Sequence, residues 1–358
     1  MSAQPRKLEG GCHCRAVRYT LTIPDGSERL VAGYCHCDDC RLTTGFYCAL
    51  FADIEPGWLS FSEQSKASIT SYKSSDRVVR TFCSKCSTTL TYTSTVFGHE
   101  LSVPTLDVQD DWKHGVREVV RVKAHNFVSD TTAGGVSTIF DDGLPRYVHG
   151  SRGDKWSPPS VSAVPQTVED ETGDEIRGGC HCSGVTFKIQ RPPLDYTKDP
   201  DLVNWVATGR KFTALHCVCN DCRLAPGTPF FTWSYVPHKL IHFTRDDTLR
   251  IRVSNPTKNV LRRFCGTCGC HLFTNIDDGR AYWDVSAAVL EQPKAERWIT
   301  LTSRFPTSED RTSLAEGGKN AQCWFASERL WHESSGAKFD PELVEELKRG
   351  LERAPIYT

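Results

Sequence analysis

No apolar run in the sequence approaches the roughly 18 residues that a membrane-spanning helix requires. Its opening segment, MSAQPRKLEGG, lacks the apolar core of a secretory signal. Net charge is almost absent too. The formal value is −1. Nothing in that balance draws the chain to nucleic acid. Helical periodicity is scarce, with one clear segment near the end. There Asp340 is placed to cap a helix, Pro341 suits its first turn, and Leu343, Val344, Leu347 and Leu351 share one face. These absences leave a cytoplasmic, mainly β chain as the expectation, with no membrane or nucleic-acid partner.

What the chain does have is cysteine, 17 in 358 residues. In a cytosolic protein of this size such a count points to metal or redox chemistry instead of a disulfide framework. CxC and CxxC spacings suit chelation of one ion better than a strain-free disulfide. Most of these cysteines fall into one arrangement written twice. The first copy is Cys12 and Cys14, then Cys35, Cys37 and Cys40, then Cys83 and Cys86. The second is Cys180 and Cys182, then Cys217, Cys219 and Cys222, then Cys265 and Cys268. The step from the triplet to the final pair is 43 positions in both.

The repeat sets the domain map: residues 1–150, a linker over 151–175, and residues 176–358. The linker, Ser151 to Glu175, is rich in proline, serine and acidic residues and has almost no apolar periodicity. After each opening pair comes strand-like alternation, Val17, Tyr19, Leu21 and Ile23 in one copy and Val185, Phe187 and Ile189 in the other. Further strands are expected at Phe46–Phe51, Arg77–Phe82, Pro229–Val236 and Leu249–Val253. The second copy carries 14 extra residues, assigned to the polar stretch from Pro192 to Trp205.

Structural zinc sites fill four positions with protein atoms. Cys12, Cys14, Cys83 and Cys86 can do this, as can Cys180, Cys182, Cys265 and Cys268. Each such site would tie the opening strand to a later hairpin and add stability to a thin β core. A local finger from Cys12, Cys14, Cys35 and Cys37 is equally legal by spacing. The compactness of the triplet and the insertion between first pair and triplet favour the distributed arrangement. The triplets Cys35/Cys37/Cys40 and Cys217/Cys219/Cys222 would then leave a zinc position free for a water or a substrate atom.

Gly10–Cys14 (GGCHC), Cys35–Gly45 (CHCDDCRLTTG), Phe82–Cys86 (FCSKC) and Val103–Asp107 (VPTLD) resemble the glutathione-dependent formaldehyde-activating enzyme family, also named for centromere protein V. Gly178–Cys182 (GGCHC), Cys217–Gly227 (CVCNDCRLAPG), Phe264–Phe273 (FCGTCGCHLF) and Asp284–Leu290 (DVSAAVL) resemble it as well. The resemblance implies two tandem Mss4-like β-tent zinc domains with the distributed pairing. It also implies up to four zinc ions, and carbon–sulfur lyase chemistry on thiol–aldehyde adducts with glutathione or another thiol as co-substrate. Two departures stand out. Ser87 occupies a place usually held by glycine, which Gly269 keeps. The first copy has a family-like tail, His125–Val128 leading to Asp142–Pro145, for which the second copy offers no recognisable counterpart.

Other residues have plainer readings. Arg41 and Arg223 follow the triplets in register and could hold a carboxylate or neutralise thiolate charge. Asp39 and Asp221 could cap the turn that presents the ligands. His13 and His181 suit a turn or packing role better than ligation. His36 could shuttle protons, but its counterpart is Val218. Cys48, Cys270 and Cys323 lie outside the repeat and read as buried or surplus thiols. Trp58, Trp112, Trp233, Trp283 and Trp324 read as core, with one or two walling the open sites. The competing functions are a binding protein whose zinc ions are all structural, the fourth position of each triplet filled by a histidine (His216 in the second copy) or by a protein partner, and a nucleic-acid partner using Arg250–Arg252 and Arg262–Arg263.

Overall fold

The computed structural model describes residues 4–24, 29–158, 173–292, 299–301 and 338–353. Cys323, Trp324 and most of the anticipated linker lie outside them. Each half begins with a hairpin whose alternate residues turn inward. Arg6–Gly11 pairs with Arg18–Ile23, and Leu59–Phe61 completes a three-stranded sheet. Tyr19, Leu21 and Ile23 are buried on one face, as the period of two requires. The second half repeats this with Glu175–Gly179, Thr186–Gln190 and Ile241–Arg245, where Phe187 and Ile189 are buried.

A larger sheet follows in each half. In the first it has seven strands, in the order Val120–Asn126, Leu30–Cys35, Ala49–Ile54, Gly98–Ser102, Thr89–Ser94, Val78–Cys83, Ile69–Ser75. The second half matches it with Lys211–Cys217, Phe231–Pro237, Tyr282–Ser286, His271–Ile276, Val260–Cys265 and Leu249–Asn255. The expected strand at Phe46–Phe51 begins three residues late. Gly45 turns the chain at φ +82°, and the Thr44 hydroxyl takes the Phe46 amide, holding Phe46 outside the ladder. The fold is mainly β, two β units in tandem.

The strand that leads into the first half's tail has a counterpart in the second half, whereas the segment that would match His125–Val128 lies outside the described residues. Val120–Asn126 runs parallel to Leu30–Cys35 with Val120 opposite Leu30, and Ile299–Leu301 runs parallel to Lys211–Cys217 with Ile299 opposite Phe212. Position in the sheet is kept although the side chains are not, so the sequence carries no signature of it. The extra stretch from Pro192 to Trp205 forms no strand, only a short 3-10 helix at Tyr196–Lys198 followed by further turns.

The main core crosses between the halves. Phe46, Cys48 and Leu50 of the first pack with Val218, Cys222, Phe230, Phe231 and Trp233 of the second. The C-terminal helix, Pro341–Arg353, follows the second half in sequence but buries Leu343, Val344 and Leu347 against Val116, Val119, Ile139 and Phe140 of the first. Asp340 caps it as expected, its Oδ1 accepting the Leu343 amide at 3.0 Å. Among the described residues no helix is long and apolar enough to cross a membrane.

Candidate metal centres

The triplets arise from a strand that runs out directly into a helix. Leu30–Cys35 ends on its first cysteine. Cys37 is extended (φ −65°, ψ 154°) and caps the helix Asp38–Thr44, its sulfur accepting the Cys40 amide at 3.4 Å. Cys219 does the same for the helix Asn220–Leu224, taking the Cys222 amide at 3.4 Å. Helix entry therefore points two sulfurs and one helical cysteine at a common centre. The Cys35–Cys37 and Cys217–Cys219 sulfurs are 3.4 Å apart in both halves.

The four remaining pairs form two closed clusters, Cys12/Cys14/Cys83/Cys86 and Cys180/Cys182/Cys265/Cys268. Cys14 and Cys83 approach to 3.7 Å, and Cys182 and Cys265 to 3.5 Å. Cys12 and Cys14 stand at the end of the small sheet's hairpin and Cys83 ends a strand of the large sheet, so each cluster pins one sheet to the other. The local finger from Cys12, Cys14, Cys35 and Cys37 is not formed. Within each cluster and triplet all sulfurs lie within 4.8 Å of one another. That spacing is far above the roughly 2 Å of a disulfide and near the roughly 3.8 Å between sulfurs at a tetrahedral ion with 2.3 Å bonds. The donor sets fit a thiophilic metal ion. Among the described residues, no fourth histidine, cysteine or carboxylate joins either triplet.

A row of cross-strand neighbours passes in front of each triplet. In the first half it runs Asp53, Glu100, Tyr92, Arg80, Tyr72. In the second it runs Tyr235, Asp284, Thr274, Arg262, Arg252. Directly opposed residues share a face of the sheet, so each triplet has an arginine and a carboxyl group on one side. Arg80 reaches the Cys40 sulfur at 3.5 and 3.6 Å and lies over the Tyr92 ring. Arg262, also buried, lies against Cys222, to which the Trp233 indole donates at 3.3 Å. The Cys40 thiol is pushed well below its ordinary range by hydrogen bonds from Cys35 and Cys37, and Arg80 adds to this. Cys222 is lowered in the same way by Cys217, Cys219 and Arg262. The carboxyls move oppositely. Burial, followed by the charges of Asp53 and Cys40, raises Glu100 to about 8. Burial, followed by Cys222, raises Asp284 to about 7. Both groups are therefore substantially protonated near neutral pH.

Several anticipated residues stand elsewhere. Arg41 is held by Asp38 at 2.6 Å and by the Ala288 and Leu290 carbonyls, and Arg223 by Asn220 and the Pro104 carbonyl. Neither guanidinium is free to clasp a carboxylate, and Arg80 and Arg262 are the cations at the sulfur. Spacing hid this because the two arginines are distant in sequence, although they recur in register at the same position before FC. Glu100 and Asp284 were also missed. His36 turns into the core, its Nε2 2.9 Å from His125 Nδ1, and His125 Nε2 meets Asp142 at 2.7 Å. His216 pairs with the Thr232 hydroxyl at 2.8 Å and is no fourth ligand. Cys48 and Cys270 are buried and outside every cluster. Arg252 meets His13, and Arg263 lies over Trp283.

Residues 7–130 and 201–301 match the sequence profile of the family described as glutathione-dependent formaldehyde-activating enzyme. No curated protein matches the chain. Among solved structures, a crystal structure of a Rhodobacter sphaeroides protein is similar at 19% identity, covering 35% of this chain and 99% of that one with a TM-score of 0.25.

Proposed function

Because the chain belongs to the glutathione-dependent formaldehyde-activating enzyme family, we propose that its two triplets hold zinc and make, break or rearrange carbon–sulfur bonds in adducts of a thiol with an aldehyde. The observation that carries this reading is the pair of three-sulfur sites, each without a fourth protein donor among the described residues. A zinc ion seated there supplies a coordination position in which an incoming thiol is stabilised as thiolate. Three thiolates and one divalent ion sum to a single negative charge, which Arg80 or Arg262 offsets. Such a charge-saturated centre is a weak Lewis acid and favours a soft sulfur ligand, glutathione or a similar thiol.

The carboxyl groups supply the proton. In the direction of adduct formation the thiolate sulfur attacks the aldehyde carbon, the carbonyl oxygen takes a proton from Glu100 or Asp284, and the proton released by the next incoming thiol restores the carboxyl group. In reverse the hydroxyl returns that proton as the C–S bond breaks and the carbonyl reforms. The surroundings of the two carboxyls differ. Asp53 stands beside Glu100, whereas Tyr235 stands beside Asp284 and packs against the Trp205 ring at a tilt, 5.1 Å away, and edge-to-face with Tyr282 at 5.5 Å. The second site accordingly suits adducts with a bulkier apolar body. The test is turnover of aldehyde with glutathione by the wild type and by the double variant Cys37→Ala/Cys219→Ala. Loss of turnover is expected, and unchanged turnover ends the reading.

A further inference from the structure

We propose that each closed cysteine cluster positions the open triplet of the opposite half, so that the protein holds two composite sites. The inference rests on the metal-holding part of the reading above and not on the carbon–sulfur chemistry. His13 lies between Cys12 and Cys14 of the first closed cluster. Its Nε2 is 2.8 Å from Asp221, which lies between Cys219 and Cys222 of the second triplet. His181 lies between Cys180 and Cys182, and its Nε2 is 3.2 Å from Asp39, between Cys37 and Cys40 of the first triplet. The other ring nitrogens set the tautomer. Arg252 can only donate, so the His13 Nδ1 it meets at 2.9 Å accepts and the Nε2 proton faces Asp221. Tyr72 takes the equivalent place at 2.7 Å from His181 Nδ1.

The far ends of the triplet helices are held the same way. The His181 amide donates to the Leu42 carbonyl at 3.1 Å. Opposite, the Thr88 hydroxyl donates to the Leu224 carbonyl at 2.9 Å while lying 3.2 Å from the Cys86 sulfur, a direct link from one cluster to the other half's helix. The Thr89 amide continues to the Pro226 carbonyl at 3.1 Å. Gly45 and Gly227, which follow the triplet helices at φ +82° and +74°, fit because they lack a side chain. A Cβ there would lie 2.0 Å from the His271 carbonyl oxygen and 2.6 Å from that of Thr89, both in the opposite half. Ser102 and Ser286 cap the carbonyls of Gly227 and Gly45 in turn. The histidine–aspartate contacts, the bonds to the Leu42 and Leu224 carbonyls and the close approaches at the two glycines are matched between the triplet helices, although some of the residues on the two sides differ. His13 and His181 are positioning residues that act through the aspartate beside the ligands, as outer-shell partners do at metal sites.

Cadmium-113 resonances of the fully loaded full-length protein test this without any substrate. Cys37→Ala and Cys219→Ala assign the signals of the first and second triplet. His181→Ala is expected to shift the first-triplet signal and weaken cadmium binding there by about 10- to 100-fold, while His13→Ala does so at the second. His181→Gln, which keeps a donor toward Asp39, restores most of the first. A triplet that follows the histidine of its own half, or that moves with neither, overturns the proposal. Tyr72→Phe removes only the hydroxyl on His181 and keeps the test decisive if the alanine variants do not fold. It should move the first-triplet signal and leave the second in place, and the absence of that movement also overturns the proposal.

Discussion

Arg80 and Arg262 are buried guanidinium groups, tolerable because a thiolate of opposite charge lies against each. At the same scale Glu100 and Asp284 are half-buried, and their raised values, about 8 and about 7, make a pH prediction. With only the first triplet intact (Cys219→Ala), turnover that uses the carboxyl proton should fall as pH rises through about 8. With only the second intact (Cys37→Ala) it should fall through about 7. Glu100→Gln should abolish the upper limb of the first profile and lower turnover by about 10²- to 10⁴-fold; a wild-type profile in that variant removes Glu100 from the chemistry. The stability sign is consistent. The folded chain binds these protons more tightly than the unfolded one, so their contribution declines as pH climbs from the ordinary carboxylate range to about 8. Ser87 shows why a departure from family pattern can be harmless. It adopts φ +66° where Gly269 has +80°, and its hydroxyl meets His271 at 3.1 Å, which offsets part of the strain.

Among the elements, the C-terminal helix joins what the chain order separates. Phe339 and Asp340, just before its first turn, fix its position. Phe339 packs in the core and under the Arg223 guanidinium, 3.9 Å from its ring. Asp340 caps the helix and also holds Arg117 at 2.8 Å, with Glu346 on the same arginine at 3.4 Å. Asp340→Ala removes cap and counter-ion together and should cost about 3–5 kcal/mol, read from urea unfolding. Asp340→Asn keeps a capping oxygen and should recover about 1 kcal/mol of that loss; equal values for the two would mean that capping contributes nothing here. The helix was legible because its caps and apolar face are local in sequence. The partner it packs on was not, since amphipathicity names a face to be covered without saying by what.

At the level of the molecule, the halves resemble a dimer joined into one chain. Phe230, Phe231 and Trp233 complete a core begun by Phe46, Cys48 and Leu50, and the triplet helices are held across the seam. Residues 1–158 made alone would expose that seam. They should therefore aggregate or self-associate on size-exclusion chromatography and unfold without the cooperativity of the whole chain. A monomeric, cooperatively folding fragment would show the seam to be dispensable.

Cysteine spacing determined the groups of sulfur ligands, the doubling of the chain and its β character, because chelation and strand alternation are written in short-range pattern. The closed clusters join strands far apart in sequence; spacing alone also allowed a local finger, and there the compact triplet, the position of the insertion and the family resemblance favoured the distributed pairing. Which charges attend the sulfur was settled only by sheet register. Arg80 and Glu100 stand 20 positions apart in the chain yet lie in one row across three strands. The carboxyl positions also drift by two residues between the copies relative to the arginines, which hides their equivalence. That each half reaches over to hold the other's helix was likewise decided in three dimensions, since a hydrogen bond between His13 and Asp221 leaves no mark on the sequence near either residue.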